Sequence, residues 1–212
     1  MTEKRFFSSD DLTAAVNVLS SSPLEDGTWA VITDATLFHP QGGGQAGDKG
    51  RLGAANVLKT VFNEAGDIVH ITDADVAVGP AVEAVDAASR LLNSRLHTAG
   101  HLIAEAGAGF GWHAYKGDHR AGESRVVFKA PEGVTTAPQP ADWQPALDKL
   151  IAAALPRRVT VENGSRSVTW GDLPATHCGG THVKDTSMVG ACRLTKMKLR
   201  KGELSVSYTL DN

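Results

Sequence analysis

The chain has 212 residues, of which 42% are hydrophobic and 21% are charged, proportions that are ordinary for a globular protein with a real core. The formal net charge of −3 excludes a polycation, so any contact with nucleic acid must use a local basic patch. Two cysteines, Cys178 and Cys192, provide no disulfide framework and indicate a reducing compartment.

The N-terminal segment has no apolar stretch of the kind found in signal peptides. No apolar run in the chain approaches the roughly 18 residues of a membrane span. We therefore expect a cytoplasmic protein with no membrane partner.

Short strands are predicted between residues 28 and 86. The segment "TWAVITD" is apolar and β-branched, and the glycine-rich loop "HPQGGGQAGDKG" follows it. Two β-like runs flank Asn63–Asp67 as in a hairpin, and Gly79-Pro80 marks another turn. A sheet of this size must close or be covered to protect its edges. We predict a small antiparallel β-barrel domain over residues 1–86.

The pattern changes near residue 85. Apolar residues recur at helical spacing from Ala88 to Ala106, and Gly107 and Gly109 are expected to end the helix. We therefore place a domain boundary here, with an α+β domain of antiparallel type over residues 87–212.

Four further elements are predicted in this second domain. "SRVVFKAP" indicates a strand, and Asp142 is expected to cap a helix through "WQPALDKLIAAAL". "RRVTVENGSRSVTW" is strand-like with a turn at Asn163-Gly164, and the last segment predicts a hairpin that turns at Lys201-Gly202.

Two pairs of side chains suit a metal ion. His97 and His101 are four residues apart on the predicted helix, so both imidazoles lie on one face about 6 Å apart. Cys178 and His182 flank a glycine-containing turn that can bend, and a thiolate with an imidazole suits zinc. Together the pairs predict four zinc ligands. Taken alone, each histidine has the alternative of a polar surface or satisfied core residue, and Cys178 that of a small buried hydrophobe. Adjacent His177 is an alternative ligand, but neighbouring side chains in extended backbone point apart, so we predict that it points away from the site.

The residues leave the role of such a site open. Thr98 stands where zincin proteases have a glutamate base, which weakens a peptidase interpretation. A set of four protein ligands is typical of structural zinc. Thr98, Thr181 and Gln45 are candidate catalytic residues that hold a water or contact a substrate hydroxyl, whereas both threonines are equally explained by hydrogen bonds to nearby backbone groups.

Positive charge is concentrated near the C-terminus. Lys196, Lys198 and Arg200 alternate with Met197 and Leu199, which gives a strand with one basic and one apolar face. We predict RNA contact here, with a solvated strand face as the alternative. Gly42–Gly44 form a loop that can approach an RNA backbone or acceptor end. The candidate substrate-binding residues are Gly42, Gly43, Gly44, Tyr115, Lys116, Lys196, Lys198 and Arg200.

Three motifs in order, "DATLFHPQGGGQAGDKG", "RLHTAGHLI" and "HCGGTHVKDTSMVG", resemble the editing domain of alanyl-tRNA synthetase and its free-standing relatives, the AlaX editing proteins. The resemblance covers roughly residues 28–210. It implies a β-barrel domain followed by an α+β catalytic domain, with Zn²⁺ held by His97, His101, Cys178 and His182. It further implies a zinc-dependent aminoacyl-tRNA hydrolase in free-standing form, whose partner is mischarged tRNA(Ala) carrying serine or glycine, and no DNA.

The chain departs from the family pattern at three places. It has Gly100 where many relatives read "HTATH", Tyr115 where editing domains often have glutamine before Lys-Gly, and Thr176-His177 before the cysteine. Because these positions border the expected pocket, the choice between serine and glycine stays open. Two other functions also stay open, namely a non-catalytic RNA-binding module with structural zinc and a threonyl-type editing hydrolase acting on Ser-tRNA(Thr).

Overall fold

A computed structural model describes residues 2–162 and 164–211. The chain forms two compact units, the first of Met1–Gly42 and Ala46–Leu92 and the second of Gly43–Gln45 and Asn93–Asn212. Three residues of the glycine-rich loop therefore belong to the second unit. Within the described ranges, no helix has the length and apolar character that crossing a membrane would require.

The described residues form fifteen strands and two α-helices. In chain order they are β1 (Glu3–Lys4), β2 (Thr13–Pro23), β3 (Trp29–Thr33), β4 (Ala35–Thr36), β5 (Gly50–Leu52), β6 (Ala55–Phe62), β7 (Ile68–Thr72), β8 (Gly79–Val85), α1 (Ala87–Ala108), β9 (His113–Asp118), β10 (Arg125–Lys129), α2 (Pro140–Ala152), β11 (Arg157–Glu162), β12 (Ser165–Trp170), β13 (Thr176–His177), β14 (Cys192–Arg200) and β15 (Glu203–Leu210).

The first unit contains a closed barrel with the strand order β2-β3-β7-β6-β5-β8. Neighbouring strands are antiparallel, and Val18, Val31, Leu52 and Val57 are among the buried residues of its core. The predicted antiparallel barrel is confirmed. Strand β2 lies before the stretch in which strands were predicted. Only Thr13, Val16 and Val18 among its 11 residues are β-branched and none is aromatic, so its sequence is a weak strand signal.

The glycine-rich loop is anchored in the first unit by a buried ion pair. Oδ2 of Asp48 accepts hydrogen bonds from Nε of Arg90 at 3.0 Å and from the backbone N–H of His39 at 2.7 Å. Arg90 lies in the first turn of α1 and Asp48 lies near the end of the loop. The pair therefore fixes the end of the loop against the start of the helix.

The second unit is built on an antiparallel sheet with the strand order β14-β15-β10-β9. Phe128 and Val206 point from this sheet into a core that includes Leu102 of α1 and Trp143 of α2. A smaller antiparallel sheet has the order β11-β12-β13. The predicted α+β class with an antiparallel sheet is confirmed.

Helix α2 begins earlier than predicted. Its first residue is Pro140, and Gln139 occupies the N-cap position, because the fixed φ of proline suits the first turn of a helix. Asp142 is not the cap; its carboxylate lies within the first turn and accepts the N–H of Gln139 at 2.7 Å. The predicted capping role was therefore wrong by three positions, although Asp142 does satisfy a backbone donor at this helix start.

Two turns were predicted in the C-terminal half. Lys201 and Gly202 connect β14 to β15 with φ values of 52° and 77°, the left-handed conformation of a tight hairpin turn, so this prediction is confirmed. Of the other predicted turn, Asn163 lies outside the described residues, and Gly164 has a φ of 76° just before β12.

Candidate metal centre and substrate face

Four side chains of the second unit meet at one point. His97 and His101 come from α1, while Cys178 and His182 come from the loop that follows β13. Their candidate ligand atoms all lie within 4.8 Å of one another. Sγ of Cys178 is 3.2 Å from Nε2 of His182 and 3.5 Å from Nε2 of His97. The structure thus brings together the two pairs that the sequence places about 80 residues apart.

The chemistry of this cluster fits a metal ion. Three imidazole nitrogens and one sulfur are the donor types that zinc prefers. Burial lowers the pKa of His101 to about 4 and holds that of His182 well below its usual range, so both rings are neutral, the form that ligates metals. Burial raises the pKa of the Cys178 thiol, and a coordinated cation would stabilise the thiolate.

A buried arginine shapes the loop that carries Cys178. Nη1 of Arg166, on β12, donates to the carbonyl oxygens of Cys178 and Gly180, both at 2.8 Å. The backbone N–H of Cys178 donates in return to the carbonyl oxygen of Arg166 at 3.0 Å. A Cβ atom at Gly180 would overlap the imidazole of His97. Close approach to the His97 ring, rather than a left-handed backbone, therefore requires glycine at position 180.

Gln45 orients the His97 ring by a contact with Nδ1, the ring nitrogen that does not face Cys178. Its Oε1 lies 2.7 Å from Nδ1 of His97 and accepts the backbone N–H of Thr181 at 2.9 Å. Its Nε2 donates to Oγ1 of Thr181 at 2.9 Å, and the hydroxyl of Ser94 lies 2.8 Å from the same oxygen. Since an amide oxygen can only accept, Nδ1 of His97 carries the proton, and Nε2 is the nitrogen that faces Cys178.

Thr98 plays the corresponding part for His182. Its Oγ1 lies 3.2 Å from Nδ1 of His182 and accepts the backbone N–H of Val183 at 3.3 Å. Thr98 and Gln45 are almost completely buried. The three residues predicted to be catalytic, Thr98, Thr181 and Gln45, therefore have hydrogen bonds to ligands, to one another or to the loop backbone; their part in catalysis stays a prediction.

The conformation of the glycine-rich loop places Gln45 next to this cluster. Gly43 and Gly44 have φ values of 56° and 79°, and a Cβ atom at Gly44 would overlap the carbonyl oxygen of Gly117. The carbonyl oxygen of Gly44 accepts the N–H of His119 at 2.8 Å. Gly42, in the first unit, has an ordinary backbone conformation. The predicted approach of Gly42–Gly44 to RNA stays a prediction.

Three aromatic residues at or next to the cluster were not predicted from the sequence. His119 stacks on His97 with ring centroids 4.4 Å apart, and burial lowers its pKa to about 4. Tyr208 lies within hydrogen-bond distance of His119. Trp170 packs against the His182 ring at 5.1 Å. No spacing in the sequence connects these positions; the only signal is the helical glycine at position 100, where space is left for another group.

His177, predicted to point away from the ligands, lies on β13. It is exposed, and its Nδ1 lies 3.1 Å from the hydroxyl oxygens of Ser165 and Ser167. It is not a member of the four-residue cluster.

The outer side of the four-stranded sheet is basic. The register places Lys198 of β14 in one row with Lys116 of β9, and Arg200 in the next row with Lys129 of β10. Five exposed cations form no ion pair among the described residues; we call them the basic face, and they are Lys116, Lys129, Lys196, Lys198 and Arg200.

Tyr115 lies within the basic face. Its hydroxyl donates to Oε1 of Glu203 at 2.6 Å, and Nζ of Lys129 lies 5.5 Å from the centre of its ring. Met197 and Leu199 pack against the core from the opposite side of β14. The predicted separation of a basic and an apolar side on this strand is therefore present.

Part of the second unit matches a known family of tRNA synthetase domains. Residues 166–205 match the model described as the threonyl and alanyl tRNA synthetase second additional domain. The matched segment begins at Arg166 and includes both Cys178 and His182, so the loop half of the cluster falls within it.

More extensive similarity connects the chain to alanyl-tRNA editing proteins. It is 26% identical to the alanyl-tRNA editing protein AlaX-M of Pyrococcus horikoshii, over 86% of this chain and 87% of that protein. It is 28% identical to AlaX-L of the same organism, over 84% of this chain and 50% of that protein. It is 30% identical to an alanine–tRNA ligase of Halorubrum lacusprofundi, over 92% of this chain but 24% of the ligase. The predicted resemblance to the alanyl-tRNA editing family is confirmed.

Proposed function

We propose that this protein is a zinc-dependent editing hydrolase that removes serine or glycine from mischarged tRNA(Ala). The observation that carries the proposal is the meeting of four ligand atoms within 4.8 Å. It gains support from similarity to AlaX-M over most of both proteins. An alanine pocket cannot strongly exclude glycine or serine, so a second hydrolytic site has a clear purpose.

The residues divide into ligands and supports. His97, His101, Cys178 and His182 would hold the ion, which when bound supplies a Lewis acid or an anchor for the substrate amine. Gln45 keeps the proton of His97 on Nδ1, which leaves Nε2 for the cluster. Because an aminoacyl ester is intrinsically labile, positioning of ester and water by such fixed groups supplies much of the catalysis.

The basic face is the proposed contact for the tRNA. Its five cations form no ion pair within residues 2–162 and 164–211, so phosphate groups can neutralise them with release of counterions. Tyr115 adds an exposed aromatic ring among these cations. Residues 1–86 and 87–212 are proposed as a barrel domain and an editing domain, and the cytoplasm as the location.

The test combines metal content with deacylation. Purified protein is analysed for zinc and incubated with Ser-tRNA(Ala), Gly-tRNA(Ala) and Ser-tRNA(Thr), beside a Cys178→Ala variant. The proposal expects bound zinc and hydrolysis of at least one of the alanine tRNA substrates by the native protein, with loss of both in the variant. Native protein that holds zinc and hydrolyses none of the three is not an editing enzyme.

Two second candidates are tested by the same experiment. The matched model covers threonyl as well as alanyl synthetase domains, so hydrolysis of Ser-tRNA(Thr) alone would indicate threonyl-type editing. The cluster offers four protein ligands, the pattern of structural zinc. Zinc binding and tRNA binding without hydrolysis would indicate a non-catalytic RNA-binding module.

A further inference from the structure

His119 occupies space that a side chain on α1 would otherwise fill. A Cβ atom at Gly100 would overlap Cε1 of His119, and a Cβ atom at Gly117 would lie 2.5 Å from its Nε2. The imidazole therefore lies directly against two glycines, and its flat side stacks on His97 with 20° between the ring planes. Gly100, which departs from the family pattern, and His119 are complementary in shape.

The hydrogen bonds of His119 determine which of its nitrogens carries the proton. The hydroxyl of Tyr208 donates to the carbonyl oxygen of Leu96 at 2.9 Å. Having used its only proton there, this hydroxyl can only accept from Nδ1 of His119, which lies 2.8 Å away. In the neutral ring the proton is therefore on Nδ1, and Nε2 carries a lone pair.

Nε2 of His119 has no hydrogen-bond partner among residues 2–162 and 164–211. Only 6% of the residue is exposed. Nε2 itself is not completely enclosed, because it is absent from the set of fully buried polar atoms without a partner. A buried acceptor with no partner is costly unless water or a ligand satisfies it. This nitrogen is thus an available acceptor beside the ligand His97.

We propose that His119 is a specificity-determining residue, whose Nε2 accepts a hydrogen bond from the hydroxyl of a seryl group esterified to the tRNA. This inference rests on the proposed function, because it requires an aminoacyl ester at the cluster. Glycine offers no hydroxyl, so the contact favours the seryl substrate over the glycyl one. A site that hydrogen-bonds a substrate hydroxyl discriminates against the analogue that lacks it.

His119→Phe is the direct test, because phenylalanine keeps a ring against His97 and removes the acceptor. The ratio of kcat/KM for Ser-tRNA(Ala) to that for Gly-tRNA(Ala) is measured in the native protein and in the variant. We expect this ratio to fall about 10-fold, the size of one hydrogen bond. Zinc content and thermal midpoint, measured in parallel, show that the variant is folded and loaded.

A second variant, on helix α1, displaces His119 without replacing it. In Gly100→Ala the new methyl group must displace the His119 ring, so the ratio is expected to fall as in His119→Phe. A binding measurement avoids hydrolysis altogether: calorimetry with the seryl and glycyl amides of 3′-amino-3′-deoxyadenosine should show the same loss of preference for the seryl analogue in both variants.

The outcomes separate this inference from the proposed function. Native protein that hydrolyses neither alanine tRNA substrate overturns both. Native protein that is active on glycine alone overturns the inference and leaves editing intact. An unchanged ratio in a folded, zinc-loaded His119→Phe protein, whether or not both rates fall together, likewise overturns the inference, because His119 would then serve packing alone.

Discussion

The two units each bury a group of polar side chains. In the first unit these side chains are hydrogen-bonded to protein groups, whereas in the second unit several donor atoms converge on one point. In the barrel, Nε2 of His70 lies 2.9 Å from the hydroxyl of Thr36, which lies 2.9 Å from Oε2 of Glu83. Oε1 of the same carboxyl accepts the N–H of Leu37 at 2.7 Å. Every one of these contacts is made by another protein group, so the barrel group needs no ligand.

The cluster of the second unit contrasts with this closed network. Nδ1 of His97 and Nδ1 of His182 meet Gln45 and Thr98, but their Nε2 atoms converge on Cys178. Burial lowers the pKa of both His70 and His101 to about 4. A shifted pKa therefore does not distinguish a structural histidine from a candidate metal ligand, whereas convergence of several donor atoms is the feature that marks the candidate site.

The largest effect is expected from the cluster cysteine. Cys178→Ala removes the sulfur donor, and we expect loss of bound zinc and a fall in deacylation of at least about 100-fold. Cys192→Ala is the matched control, because burial raises the pKa of Cys192 to about 12 and it lies outside the cluster. Zinc analysis and initial rates of the two variants test the contrast; equal zinc content in both would contradict it.

The barrel group predicts a pH-dependent stability. Burial raises the pKa of Glu83 from 4.5 to about 7, so the folded state holds a proton that the unfolded state releases between these values. The stabilisation is complete below pH 4.5 and disappears as pH rises through 7, a change on the order of 3 kcal/mol in the free energy of unfolding.

Glu83→Gln makes this prediction measurable. Glutamine keeps an acceptor for Leu37 and cannot ionise, so the variant should gain stability relative to the native protein between pH 5 and pH 8 in urea unfolding. Glu64→Gln, at an exposed position, should instead follow the native curve. A constant difference between Glu83→Gln and the native protein at all pH values would show that Glu83 does not titrate in this range.

A smaller effect on zinc affinity is expected from Gln45, which contacts the candidate ligand His97. Gln45→Leu removes the acceptor for Nδ1 of His97 while keeping a side chain of similar size, and we expect zinc affinity to fall about 10- to 100-fold. Competition with a chromogenic chelator measures this affinity. His70→Gln in the barrel is the control; a comparable loss of zinc affinity there would indicate general destabilisation rather than a specific role for Gln45.

The smallest effect is expected at the basic face. Lys196→Gln with Lys198→Gln should raise KM for charged tRNA several-fold and lower the slope of affinity against salt concentration by about two. Hydrolysis of a seryl ester of adenosine, which lacks the tRNA body, should be unchanged. Arg193→Gln is a useful comparison, because Arg193 is already paired with Asp211 at 2.7 Å. An unaltered salt slope would remove this face from the RNA contact.

Local patterns in the sequence predicted the parts of the molecule that depend on spacing. The four candidate ligands come from two short pairs, and the turn at Lys201-Gly202 is a local preference. Contacts between distant segments could not be predicted in this way. His119 stacks on His97 across 22 positions, and Arg166 holds the Cys178 loop through backbone carbonyls that leave no trace in residue identity.

Glycine illustrates the same limit. The glycines between Cys178 and His182 were predicted to let the chain bend, whereas the structure requires glycine at position 180 because the His97 ring lies where a Cβ atom would be. The start of α2 likewise depended on Pro140 and Gln139 rather than on Asp142, the more common type of cap.

The central claim is that the cluster of the second unit needs a metal to act, in contrast with the self-sufficient group in the barrel. The most direct measurement is a titration of zinc into metal-free protein while Ser-tRNA(Ala) and Gly-tRNA(Ala) deacylation is followed. We predict that the rate rises in proportion to bound zinc and levels off at one ion per chain. Full deacylation by the metal-free protein would contradict the account.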